Sequence, residues 1–120
     1  MIGNADIIVP GVITKDRVSQ SEDSVLCYCV KYLRHIHGVP IYGDADKQRG
    51  NISMNEAAPG DVVLLKYGDI SHAALLKEKR VDGLVVQEAN FKECQETTRI
   101  IPYDDHIKGF QRPLGSFAGK

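Results

Sequence analysis

The stretch DVVLLKYGDISHAALLKEKRVDGLVVQEAN, residues 61–90, decides the fold of this chain. It holds three runs of mainly apolar residues, DVVLLKY, HAALLKE and LVVQEAN. Gly68-Asp69 and the VDG of residues 81–83 separate these runs and are typical of turns. Two further runs follow, TTRIIP and KGFQRP. The pattern predicts about five β-strands in chain order, joined as antiparallel hairpins.

Upstream of the strands, the sequence predicts one helix over Val25–His37. Ser21 and Ser24 are suitable N-terminal caps, and Gly38 followed by Pro40 ends the helix. One face is apolar at three- and four-residue spacing, and it consists of Leu26, Cys29, Val30, Leu33 and Ile36. A helix before consecutive hairpins predicts an α+β fold, in which the N-terminal helix packs on the antiparallel sheet.

Length and composition limit the class of protein. One hundred and twenty residues predict a single domain over 1–120, which we expect to be a monomer. A net charge of −1 gives no electrostatic reason for nucleic-acid binding. No apolar run approaches the ~20 residues that cross a bilayer, and the N-terminus has no secretory pattern, so we expect synthesis in the cytoplasm and no membrane partner.

Three cysteines, Cys27, Cys29 and Cys94, are an odd number, and this predicts reduced thiols in a reducing compartment. In a continuous helix, residues two apart point about 200° apart. Cys29 is therefore expected to face the sheet, while Cys27 faces solvent. Cys94 follows the third strand run and is interpreted as a structural thiol.

Four residues combine into a candidate catalytic site. Cys29 lies near the start of the helix, where unpaired amides and the helix dipole lower a thiol pKa. His72 begins the second strand run and is the candidate base. Glu88 and Asn90 have the same parity in the third run, so either is placed to orient the imidazole.

The same residues carry a family resemblance. CVKYLR (29–34), PGDVVLL (59–65), SHAALL (71–76) and EANF (88–91) resemble, in the same order, the sequence blocks of the CHAP family of cysteine, histidine-dependent amidohydrolases and peptidases. The resemblance covers Ser21 to Pro113. It implies a papain-like (NlpC-like) fold, with Cys29 as nucleophile, His72 as general base, and Glu88 or Asn90 as the orienting residue.

The resemblance also implies a function. CHAP enzymes hydrolyse amide bonds of bacterial peptidoglycan, either as N-acetylmuramoyl-L-alanine amidases or as peptide endopeptidases, without a cofactor or a metal. A wall hydrolase without a signal sequence suggests a bacteriophage lysin or virion component, delivered by a holin or by virion structural proteins. Tyr28, Lys31 and Ser71 depart from the family pattern, and they leave the substrate preference open.

Three other interpretations are less favoured. The pairs Cys27-x-Cys29 and His35-x-His37 have spacings too short for a typical structural zinc site. The segment from Asp44 faintly resembles a calcium loop, but Arg49 and Asn55 stand where glycine and glutamate belong. A CHAP-like domain that only binds cell-wall material is the third interpretation, although all the catalytic positions hold competent residues.

Overall fold

The computed structural model describes residues 12–18 by their backbone and residues 25–116 with their side chains. In this part of the chain, helix α1 spans Cys29–His37, and six strands form a sheet. The strands are β1 (Val12–Val18), β2 (Val62–Tyr67), β3 (Ile70–Arg80), β4 (Gly83–Ala89), β5 (Gln95–Ile101) and β6 (Ile107–Gln111).

The sheet confirms the predicted α+β class and the predicted hairpins from β2 to β5, but β6 pairs with β2 and not with β5. Its strand order is β1-β5-β4-β3-β2-β6, and every neighbouring pair is antiparallel. Strands β2 to β6 are the five predicted runs. The turn between β2 and β3 uses Gly68 at φ 63°, a left-handed conformation that favours glycine. Strand β1 is a sixth strand that the sequence analysis did not predict, and it pairs with β5.

The predicted helix over Val25–His37 is wrong at its start. Residues Val25–Cys27 form a 3₁₀ turn, and Tyr28 is extended at φ −137° and ψ 111°, so that α1 begins only at Cys29. The predicted caps Ser21 and Ser24 lie outside the described residues. The helix end is as predicted, because Gly38 adopts φ 71° and its N–H donates to the Arg34 carbonyl.

The core divides between the two faces of the sheet. Alternate strand residues point to opposite faces, and the helix covers the face that includes Leu64, Ala73 and Leu75. The other face carries a second apolar cluster, which includes Leu65 and Leu76. The predicted helix face is buried at Leu26, Val30 and Leu33, but Ile36 is 40% exposed and Tyr32 is buried instead. The Tyr32 hydroxyl donates to the Glu96 carboxylate, which is also buried.

No helix within the described residues has both the length and the apolar character needed to cross a membrane.

Candidate active site

The partly buried thiol of Cys29 is held at the first residue of α1. Because Tyr28 is extended, the chain turns sharply into the helix at this point. The first amides of a helix have no partner within it, and their partial positive charge favours an anion. Among the described residues, the Cys29 N–H donates to no backbone carbonyl outside the helix. It is therefore suited to stabilise an oxyanion next to the sulfur.

His72, in β3, lies beside the Cys29 thiol, close enough for each group to shift the pKa of the other. Burial alone would raise the pKa of Cys29, but the hydrogen bond and charge of His72, with the backbone N–H groups of Ala73 and Val30, lower it overall. Burial alone would lower the pKa of His72, but its bonds to Cys29 and Glu88 and their charges raise it to about 9. Both shifts favour the thiolate–imidazolium pair over the neutral thiol and imidazole.

Glu88, in β4, is the group that orients this imidazole. Its carboxylate is fully buried, and Oε1 lies 2.8 Å from His72 Nε2, which leaves Nδ1 as the ring nitrogen for Cys29. Burial alone would raise the pKa of Glu88, but hydrogen bonds and charges from His72 and Arg99 lower it overall. Cys29, His72 and Glu88 thus form a continuous chain of thiol, imidazole and carboxylate, as the sequence predicts.

The sheet register explains why these side chains meet. Leu75 pairs with Gln87 across β3 and β4, so His72 and Glu88 lie on the same face, diagonally across the two strands. Thr97 of β5 lies directly opposite Glu88, and its hydroxyl donates to Oε2 at 3.3 Å. The predicted pairing of the His72 strand with the Glu88 strand is therefore confirmed.

Arg99, in β5, is a site residue that the sequence analysis missed. Its Nε donates to Glu88 Oε2 at 2.5 Å, and its Nη2 donates to Glu88 Oε1 at 3.3 Å and to the Tyr67 hydroxyl at 2.8 Å. The guanidinium also lies 3.6 Å from the centre of the Phe91 ring. A signal was present, since an arginine interrupts the apolar run TTRIIP in a strand predicted to neighbour the Glu88 strand.

Asn90 lies outside this chain of contacts. It is exposed, adopts φ 68°, and its Oδ1 accepts a hydrogen bond from the Cys94 backbone N–H at 2.9 Å. Its side chain thereby closes the loop between β4 and β5. Of the two candidates for the orienting role, the geometry favours Glu88.

Two predictions about the cysteines are wrong. Cys27 and Cys94 form a disulfide, and Cys29 is the free cysteine. Cys27 does not point to solvent from a continuous helix, because it precedes the break at Tyr28 and lies against the β4–β5 loop. The disulfide joins the turn before Cys29 to the loop that carries Asn90, so it links two walls of the cleft.

A cleft of about 570 Å³ opens beside Cys29, and Asn90 and Ser71 contribute to its walls. Its charged lining residues are Lys31, Arg34, Asp44, Asp46 and Asp69. Both cations lie over exposed tyrosine rings, with Lys31 4.9 Å from the Tyr28 centroid and Arg34 4.8 Å from the Tyr42 centroid. The cleft therefore presents both charges and an aromatic surface next to the thiol.

The described residues give little support to a metal site. Cys27 is unavailable as a zinc ligand because it is in the disulfide. One cluster, Asp104, Asp105 and His106, has ligand atoms within 4.8 Å of one another. All three residues are exposed, and such acidic groups are common without an ion.

Comparison of the chain with protein-family models, with curated proteins and with solved structures gives no match. The functional interpretation therefore depends on the residues and on the geometry of the site.

Proposed function

We propose that this protein is a cysteine hydrolase that cleaves amide bonds of bacterial peptidoglycan, with a CHAP-like catalytic domain of papain-like fold. The observation that carries the proposal is the chain of contacts from Cys29 through His72 to the buried carboxylate of Glu88. Nucleophile, base and orienting group are the three components that thiol-dependent acyl transfer requires.

The proposed reaction has two stages. The Cys29 thiolate attacks the amide carbonyl carbon, and the oxyanion of the tetrahedral intermediate accepts the Cys29 N–H at the start of α1. His72 then gives its proton to the leaving nitrogen, which departs as an amine and leaves a thioester on the sulfur. Water, deprotonated by His72, attacks the thioester and releases a carboxylic acid, which restores the thiolate and the imidazolium.

The cleft supports a peptide substrate with charged groups. Its cations, Lys31 and Arg34, suit carboxylates, and its carboxylates, Asp44, Asp46 and Asp69, suit amino groups. Stem peptides of peptidoglycan carry both kinds of group. Tyr28, 49% exposed beside the nucleophile, adds a surface on which an apolar part of the substrate packs.

The proposal includes a place of action. Disulfides persist in oxidising surroundings, and the Cys27–Cys94 bond therefore supports action outside a reducing cytoplasm. We propose synthesis in the cytoplasm of a bacterial host and delivery to the wall as a bacteriophage lysin or virion component, with a holin or virion proteins as partners.

Digestion of purified peptidoglycan tests the proposal. Mass spectrometry of the released muropeptides identifies the bond cut, and hence separates amidase from endopeptidase. We expect new products from the wild type and none from Cys29→Ser. Sedimentation of either protein with peptidoglycan, without release of products by the wild type, would instead favour a domain that only binds the wall.

A further inference from the structure

The role of Arg99 extends beyond the contacts of an ordinary buried ion pair. Arg99 is 8% exposed and Glu88 is fully buried, and both oxygens of the carboxylate are bound by the guanidinium. One of these oxygens, Oε1, also binds His72. The carboxylate is therefore shared between a fixed cation and a group that gains and loses a proton.

The four side chains of this series carry no net charge in the reactive state. Cys29 is a negative thiolate and His72 a positive imidazolium, while Glu88 is a negative carboxylate and Arg99 a positive guanidinium. A buried carboxylate without a permanent cation takes up a proton readily, because burial disfavours its charged form. A neutral Glu88 would no longer stabilise the imidazolium, and the thiolate would lose its counter-ion.

Two aromatic residues hold Arg99 in place. The Tyr67 hydroxyl of β2 accepts its Nη2–H, and the guanidinium carbon lies 3.6 Å from the centre of the Phe91 ring. The Thr97 hydroxyl in turn donates to Glu88 Oε2. Because the fork of a guanidinium binds a carboxylate in one plane, this packing fixes the direction in which Glu88 presents Oε1 to His72.

We propose that Arg99 is a positioning residue of the active site, which keeps Glu88 ionised and aimed at His72 and so maintains the reactive thiolate of Cys29. The proposal rests on Cys29 being the nucleophile of the proposed function, but it does not depend on the identity of the substrate.

The test measures the rate at which iodoacetamide alkylates Cys29 as a function of pH, because the thiolate is the reacting form. Cys29 is the single free cysteine of the chain, so the rate reports one site. The ionisable groups near it are His72, Glu88, Arg99 and Tyr67 within the site, and Lys31, Arg34, Asp44, Asp46 and Asp69 in the cleft.

The midpoint is the pH at which the alkylation rate reaches half of its maximum. We expect the midpoint of Arg99→Met to lie at least about one pH unit above that of the wild type, which means a tenfold smaller fraction of thiolate at pH values below the midpoint. Digestion of peptidoglycan should fall by at least the same factor. Arg112→Met is the matched control, because Arg112 forms the same kind of pair with Asp61 away from the site. It should leave the alkylation midpoint unchanged.

An unchanged midpoint in folded Arg99→Met, or an equal shift in Arg112→Met, would overturn the proposal. If Arg99→Met does not fold, Arg99→Lys is tested instead, because lysine keeps the positive charge but cannot bind both oxygens of the Glu88 carboxylate in one plane. We expect it to raise the midpoint by a smaller amount and to slow digestion, and wild-type values for both would overturn the proposal. If the wild-type protein has a low alkylation midpoint but digests no peptidoglycan, the proposed substrate is refuted and the proposed role of Arg99 is not affected.

Discussion

Among the described residues, the pairs Arg112–Asp61 and Arg99–Glu88 both have a fully buried carboxylate, and they differ in what else that carboxylate binds. Arg112 holds Asp61 through Nε and Nη2, each at 2.7 Å, and the Ala58 N–H donates to the same carboxylate at 2.8 Å. Every one of these donors is permanently protonated. In the pair of Arg99 with Glu88, the carboxylate also binds a titratable imidazole.

This difference in the partners of the carboxylate indicates a structural role for the Asp61 pair and a functional role for the Glu88 pair. A buried ion pair is by itself weak evidence for either stability or activity. The Asp61 carboxylate binds the Ala58 N–H and Arg112, which fixes the segment before β2 to the chain after β6. Glu88 leads onward through His72 to a thiol beside an open cleft. We infer that Glu88 serves catalysis because its contacts reach a group that reacts.

Replacement of His72 should give the largest difference in activity between a variant at the Glu88 pair and a variant at the Asp61 pair. We expect His72→Ala to remain folded and to lose about 10²–10⁴-fold in activity, the usual contribution of general acid–base catalysis. The measurement is the initial rate of peptidoglycan digestion. Asp61→Asn, assayed at a temperature where it is folded, is the control and should stay within a few-fold of the wild type. Equal losses in the two variants would remove the distinction between the pairs.

Glu88→Gln should have the next largest effect. The amide keeps the shape of the side chain but removes the charge that stabilises imidazolium, so we expect activity to fall by about 10²-fold or more; exchange of the orienting carboxylate for an amide costs up to about 10⁴ in serine-protease triads. The kinetic measurement is kcat/KM on a defined muropeptide. A loss smaller than that of Asn90→Ala would transfer the orienting role to Asn90.

The pH dependence of stability should also reveal the titrating pair. The pKa of Glu88 is lowered from 4.5, so its contribution is present above about 4.5 and is lost as pH falls through the folded value. The pKa of His72 is raised from 6.5 to about 9, so its contribution is complete below 6.5 and is lost as pH rises through 9. Urea unfolding should therefore show the largest contribution of the pair between pH 4.5 and 6.5.

Cys29→Ser tests the alkaline side of this profile. In the wild type the lowered pKa of Cys29 offsets the loss from His72 between pH 6.5 and 9, because the thiolate–imidazolium pair binds as many protons as the neutral thiol and imidazole of the unfolded chain. Without the thiol, the loss of stability over this range should become larger than in the wild type. A loss of the same size in both proteins would show that Cys29 and His72 are not coupled in the folded protein.

The smallest effect is expected at Asn90. Asn90→Ala should keep activity within a few-fold of the wild type, because Asn90 binds the Cys94 N–H and not His72. Alanine is disfavoured at φ 68°, so we expect a loss of about 1 kcal/mol in the free energy of unfolding. Asn90→Gly accepts this backbone conformation and is the matched control. A loss of activity comparable to that of Glu88→Gln would show that Asn90 takes part in the reaction.

The sequence predicted the parts of the molecule that local pattern determines. Strands β2–β6 follow from apolar runs and turns, and the shared parity of His72 and Glu88 follows from the hairpin between β3 and β4. The break at Tyr28 was missed, because the apolar spacing of residues 25–37 fits a continuous helix equally well. The role of Arg99 depends on the register of β4 with β5, which the loop between them sets. The disulfide was missed for a similar reason, since its cysteines are 67 residues apart.

The position of the Cys27–Cys94 disulfide has a practical consequence for any assay of this protein. Thiol enzymes are normally kept active with dithiothreitol or a similar reagent, which prevents oxidation of the nucleophile. Here the same reagent also acts on a disulfide whose Cys27 lies two residues from Cys29, and thiol–disulfide exchange opens this disulfide at high reagent concentration. We expect activity to rise and then fall as dithiothreitol is titrated. Free thiols counted under denaturing conditions should increase from one to three over the falling part of the curve.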